Sequence, residues 1–144
     1  MILGKPMVPD FVALYAVIIV LFSLFYFSMA SIPFLFVRLD IPEVWRLFRG
    51  LFGVYFWVVG FVGIVAAVAF ASSGRIAVTA AMLLLAGAAI AVRRTVLQGM
   101  DTQQNAGQSG DAAAMRQLRL IHCGAMLVNI AILASVAGSL PFIL

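Results

Sequence analysis

The sequence predicts an all-α integral membrane protein: a bundle of four transmembrane helices, with the option of a short interfacial helix between the first two. Three observations carry that prediction. Of 144 residues, 65% are hydrophobic and only 10% are charged, against roughly 45–50% and about 25% in a soluble domain. A chain this small keeps too much of its surface in contact with solvent to hide so many apolar side chains in water. The apolar residues also fall into four runs, each near the roughly 20 residues that cross a hydrocarbon core of about 30 Å. Finally, the runs lack the in-out alternation of a membrane barrel strand, and in lipid the helix then remains the form that satisfies every backbone group. Soluble globular, disordered, collagen-like and disulfide-scaffold classes are excluded together. The chain reads as one domain with no internal repeat, and its lone Cys123 has no intramolecular partner for a disulfide.

The first run covers residues 11–37 and is rich in phenylalanine. It reads as a retained span. A leader would need a stronger basic start than Lys5, which is followed by Pro6, Pro9 and Asp10. A leader's apolar core is also shorter, about 7–15 residues, although Ala30 and Ser31 could mimic a cleavage site. In residues 38–50, Asp40 is placed to cap a helix, Pro42 suits a first turn and Glu43 completes a capping-box spacing. Val44, Trp45, Leu47 and Phe48 alternate there with Arg46 and Arg49. This is either a short interfacial helix with Trp45 at headgroup level or the beginning of the second span. That span covers about residues 51–71, and the third, the shortest, about 76–92. Residues 98–115 are Gly, Gln, Asn, Ser and Ala with two aspartates and no aromatic, the composition of a flexible loop. The fourth span covers about residues 120–140.

Nine basic residues against five acidic ones give a net charge of +4 and a pI near 10. In a soluble chain this would point to nucleic acid; here the arginines cluster at the ends of apolar runs and nucleic acid is not an expected partner. Arg38, Arg46, Arg49, Arg93, Arg94, Arg116 and Arg119 fall on one side of the four spans, and Lys5 and Arg75 on the other. The positive-inside rule makes the seven-arginine side cytoplasmic. Both termini and the turn at 72–75 then face out, and the connections at 38–50 and 93–119 face in.

Helices in lipid associate chiefly by close approach through small residues. Gly60, Gly63 and Ala67 supply them in the second span, Gly87 in the third, and Gly124 and Gly138 in the fourth. They read as internal packing positions, with a dimer interface as the alternative.

The spans carry no Asp, Glu, Lys or Arg deep in their apolar cores, whereas proton relays and ion-coupled transport usually place such groups at depth. No HExxH, CxxC or phosphate-binding glycine loop is present. The polar exception opens the fourth span. His122 sits about a turn inside the cytoplasmic boundary, and Asn129 shares its face seven residues on, roughly 10 Å deeper. Both need partners, and Tyr55 and Tyr26 are within possible reach. Three readings stay open. The pair is interhelical hydrogen-bond glue, or part of a polar permeation path, or His122 and Met126, four residues apart, offer soft ligands to a copper-like metal or a haem edge. Nothing in the sequence requires a cofactor.

Three segments, SMASIPFLF (28–36), LFRGLFGVYFW (47–57) and LRLIHCGAMLVN (118–129), together resemble the bacterial membrane family labelled domain of unknown function 4149, which is related to the eukaryotic transmembrane protein 205. His122 and Asn129 keep the family's spacing, while Gly53 stands where proline is frequent and Ala125 where serine is usual. The resemblance implies a four-helix protein of the bacterial inner membrane and draws attention to His122, Tyr55 and Asn129. The eukaryotic relative's link with resistance to platinum drugs implies handling of soft metals or small molecules. The expected function is a structural or accessory component of a membrane complex, partnered by the bilayer and by other membrane subunits. The alternatives are a small transporter or soft-metal handling protein, and a haem-associated redox protein. Enzymatic activity is not expected.

Overall fold

The computed structural model describes residues 11–143. Lys5, and with it both the weak basic start and one of the two outer charges, lies outside the described residues. The helices are α1 (Phe11–Ser31), α2 (Pro42–Ser72), α3 (Ile76–Gln108) and α4 (Ala112–Ile143). No strand occurs among the described residues. All four helices are long and apolar enough to cross a membrane. They run alternately up and down: α1 packs on α2 and α4, and α3 packs on the same two, closing a four-helix ring. One end carries the seven arginines and is called here the arginine-rich end; the other carries the α2–α3 turn with Arg75.

The apolar run at 11–37 is not helical throughout. Pro33 lacks an amide hydrogen and cannot continue an α-helix, so α1 stops at Ser31 and the chain passes through a 3-10 turn, Ile32–Leu35. Residues 42–50 do not form a separate interfacial helix; they are the first turns of α2, which continues unbroken to Ser72. Pro42 opens that helix as expected, but the capping box does not form. Ile41 is the N-cap without a side-chain bond, and Asp40 accepts two hydrogen bonds from Arg38 (3.2 and 2.6 Å). Those bonds hold the Asp40 carboxyl below the usual carboxylate range.

The largest correction concerns residues 98–115. They are helical almost throughout: α3 continues to Gln108, a turn occupies 109–111, and α4 begins at Ala112. With 33 residues, α3 is the longest helix, about 50 Å at 1.5 Å per residue, so the α3–α4 hairpin extends well past a 30 Å hydrocarbon core. The composition hid the period. Leu97, Met100 and Gln104 are buried on one face, and Ala114 and Leu118 on α4. Gly107 supports close packing, since a Cβ there would collide with the Met115 side chain.

Both tight turns share one chemistry. Gly74 (φ 72°) and Gly110 (φ 92°) take the left-handed conformation that glycine tolerates. Each is flanked by the paired bonds of a Schellman cap: Arg75 N–H to Phe70 O (2.9 Å) with Gly74 N–H to Ala71 O (3.0 Å), and Asp111 N–H to Ala106 O (3.2 Å) with Gly110 N–H to Gly107 O (3.1 Å). Asp111 then caps α4, accepting from the amides of Ala113 (2.9 Å) and Ala114 (3.2 Å). One aspartate ends one helix and begins the next.

The core changes character along its length. Toward the arginine-rich end, Phe48, Phe52, Tyr55 and Phe56 follow the i, i+4, i+7, i+8 spacing of one α2 face and meet Phe27 and Phe34 across the α1–α2 interface. Farther along, α2 presents Gly60 and Gly63, and α3 comes close. A Cβ on Gly60 would lie 2.9 Å from Ile90 Cγ1, and one on Gly63 would lie 2.9 Å from the Ala86 Cβ. Ala67 is buried along the same stretch of α2. Gly87, Gly124 and Gly138, read from sequence as packing positions, have nothing within 4 Å of a would-be Cβ. All three lie on exposed faces of α3 and α4. Small residues recur in both helices at helical spacing, but spacing within one helix cannot say which face turns inward.

Candidate functional site

Asn129 is 1% exposed and joins three helices. Its Nδ2 donates to the Leu24 carbonyl (2.8 Å) and to Ser28 Oγ (2.8 Å) on α1. Its Oδ1 accepts from the Tyr55 hydroxyl of α2 at 2.6 Å. The Leu24 carbonyl can only accept, so the amide orientation is fixed by chemistry. Ser28 in turn donates to Leu24 O (3.2 Å). Both amide hydrogens and the amide oxygen are thus engaged. The Tyr55 ring stacks on Phe27, centroids 3.8 Å apart. Ser28 carries no local signal of this role, because its partner lies 101 residues away on another helix.

Tyr26 does not join this knot. It is 62% exposed and lines an outer groove between α1 and α2 of about 260 Å³, of which Tyr55 forms another wall.

His122 shares the face of Asn129, as its spacing requires, and is 1% exposed. Neither ring nitrogen makes a well-aligned hydrogen bond, and the polar group the ring approaches is the Ser31 backbone. Its ring stands edge-on to Phe48 (centroids 4.8 Å) and Phe52 (6.0 Å). Met126 lies one turn along the same face and is also buried. Cys123 points elsewhere and is exposed. No group of three His, Cys, Asp or Glu side chains that could hold a metal ion occurs among the described residues. A soft ion here would have His122 and Met126 as its protein donors.

Cross-helix contacts give the level of this region within the bundle. The Arg93 guanidinium lies over the Trp57 ring, 5.4 Å from its centroid. Trp57 is two residues from Tyr55, about 3 Å along the axis. The Tyr55–Asn129 bond is therefore nearly level with the Arg93 guanidinium. His122 is a further 10 Å or so toward the arginine-rich end. It packs on Phe48, the neighbour of Arg49, whose guanidinium makes a two-pronged pair with Asp101 of α3 (2.6 and 2.8 Å). Arg119 donates to the carbonyls of Leu35 (2.8 Å) and Val37 (3.0 Å), tying α4 to the chain leaving α1.

Two polar residues escaped the sequence reading. Asp101 and Gln104 fell within the presumed loop, yet one pairs with Arg49 and the other is 2% exposed with neither amide atom bonded. The recoverable signal was the 97–100–104 apolar-face spacing, continued from α3.

In comparisons with known proteins, no protein-family model, curated protein or solved structure matches the chain.

Proposed function

We propose that this protein is a structural or accessory component of a membrane complex, docking other membrane subunits through the outer face of α3. The observation carrying this reading is a seam of exposed side chains, Ala80, Leu84, Gly87 and Ala91, at i, i+4, i+7 and i+11. Nothing lies within 4 Å of a would-be Gly87 Cβ, so a partner helix has room for the close backbone approach that drives association in lipid. The inward polar groups support the same reading: Asn129, Tyr55 and Ser28 satisfy one another and act as interhelical glue. In this reading the arginine-rich end faces the cytoplasm of a bacterial inner membrane. Purification from native membrane in mild detergent tests it. A partner retained at fixed stoichiometry, and lost in Gly87→Leu while the fold persists, is the expected result. A chain that purifies alone, or a partner indifferent to Gly87→Leu, would overturn the reading.

A second reading, soft-metal handling, is favoured by one observation: His122 is buried beside Met126 and neither ring nitrogen makes a well-aligned hydrogen bond, the Ser31 backbone being the polar group that the ring approaches. Titration with Cu(I) under a competing chelator, on the protein and on His122→Phe, decides it. A stoichiometric site abolished by the substitution supports it; equal binding by both proteins removes it. The family resemblance belongs with these proposals and is compatible with either.

A further inference from the structure

A groove of about 410 Å³ opens outward between α3 and α4 and reaches inward to Tyr55 and Val59 of α2. On α3 it extends from Leu85 to Val96 and on α4 from Ile121 to Ile132, about 16 Å along each helix. That is the thickness of one hydrocarbon leaflet, half of about 30 Å. Small side chains, among them Ala88, Gly124 and Ala125, line it and keep it open. At Ile121 the groove meets a second depression that also holds Arg116 and Gln117. Of the seven arginines at this end, Arg38 and Arg49 pair with aspartates, Arg119 holds backbone carbonyls and Arg93 covers Trp57. Arg46, Arg94 and Arg116 are exposed and have no side-chain hydrogen bond or ion pair among the described residues, and of these three Arg116 is the one that lines the depression at the groove's end.

An apolar slot one leaflet long, ending beside an uncommitted cation, is complementary to an amphiphile with an anionic head. We propose that the α3–α4 groove binds a membrane phospholipid of net negative charge, one acyl chain lying along Ala88 and Gly124 and the phosphate held at Arg116. A lipid there would fill the space that opens between α3 and α4 along this stretch, adding to the contacts that the two helices make nearer their hairpin. The inference goes beyond the accessory role: the outer seam of α3 at Gly87 and this groove are different faces, and either can fail alone.

The test is native mass spectrometry of the purified protein titrated with phosphatidylglycerol or with phosphatidylcholine. One phosphatidylglycerol should be retained in preference to phosphatidylcholine. Arg116→Gln should lower that preference about fivefold, because one cation near an anionic surface contributes about 1 kcal/mol. Gly124→Trp has open space to occupy, so it should fill the groove, keep its helical circular dichroism and lose the lipid. Ala88→Trp, from the opposite wall, should do the same. Equal retention of the two lipids, undiminished binding in folded Gly124→Trp and Ala88→Trp, or a second copy of the chain in place of lipid would overturn the proposal.

Discussion

Asn129 illustrates how much one side chain can organise when every atom of its amide finds a partner. Its bonds to Leu24, Ser28 and Tyr55 tie α1, α2 and α4 together. Interhelical hydrogen bonds in membrane proteins average about 0.6 kcal/mol, with a maximum near 1.7. A double-mutant cycle on Tyr55→Phe and Asn129→Leu, read by thermal unfolding in detergent, should therefore give a coupling of about 0.5–2 kcal/mol. Additive effects would mean that the 2.6 Å contact carries no net stability. His122 presents the opposite case. Its nitrogens are buried with no well-aligned bond, only an approach to the Ser31 backbone, and a poorly met polar group costs about 1–3 kcal/mol. His122→Phe replaces that ring with an apolar one among Phe48 and Phe52, so it should unfold at the same temperature as the parent or higher. A loss above about 1 kcal/mol would show that the imidazole is bonded to something in the folded protein.

At the scale of helices, the pairing of α2 with α3 rests on glycines that face a neighbour, and glycine count alone is no guide. Gly63→Leu must displace Ala86 or Met82, whose Cβ and carbonyl lie 2.9 and 3.3 Å from a Cβ built there. Overpacking of this kind costs about 1–3 kcal/mol. Gly87→Leu meets nothing and should leave the stability of the isolated chain unchanged. Equal losses from both substitutions, measured by thermal unfolding, would contradict this helix register. The same scale explains what the 98–115 segment concealed. Its glutamines and alanines are good helix formers, but its polarity drew attention away from the 97–100–104 spacing. Gly110 and Asp111 are the strongest stop and start signals in the segment, and the surrounding polar composition masks them. Gly110→Ala forces a side chain into φ 92°. It should cost about 1 kcal/mol or more and raise amide exchange around the hairpin; unchanged exchange would mean that the turn relaxes freely.

For the whole molecule, the charge asymmetry motivates an orientation with the α3–α4 hairpin in the cytoplasm. Ser109 lies exposed in that turn, and Cys123→Ala removes the only native thiol. A Ser109→Cys variant in that background should resist an impermeant thiol reagent in intact cells and react once the membrane is opened. Labelling of intact cells would reverse the orientation.

Composition and hydropathy determined the four apolar helices because transfer into lipid is a property of each segment taken alone, and the His122–Asn129 face followed from helical period alone. The capping role of Asp40, the separate interfacial helix and the inward placing of Gly87, Gly124 and Gly138 did not follow, since each depends on which neighbour a side chain meets. Only the tertiary structure decided that Ser28 and Tyr55 complete Asn129, that Tyr26 lies outside, that Arg49 finds Asp101, and that Arg93 covers Trp57. These contacts join residues dozens of positions apart, through rotations and axial shifts between helices that no local pattern encodes.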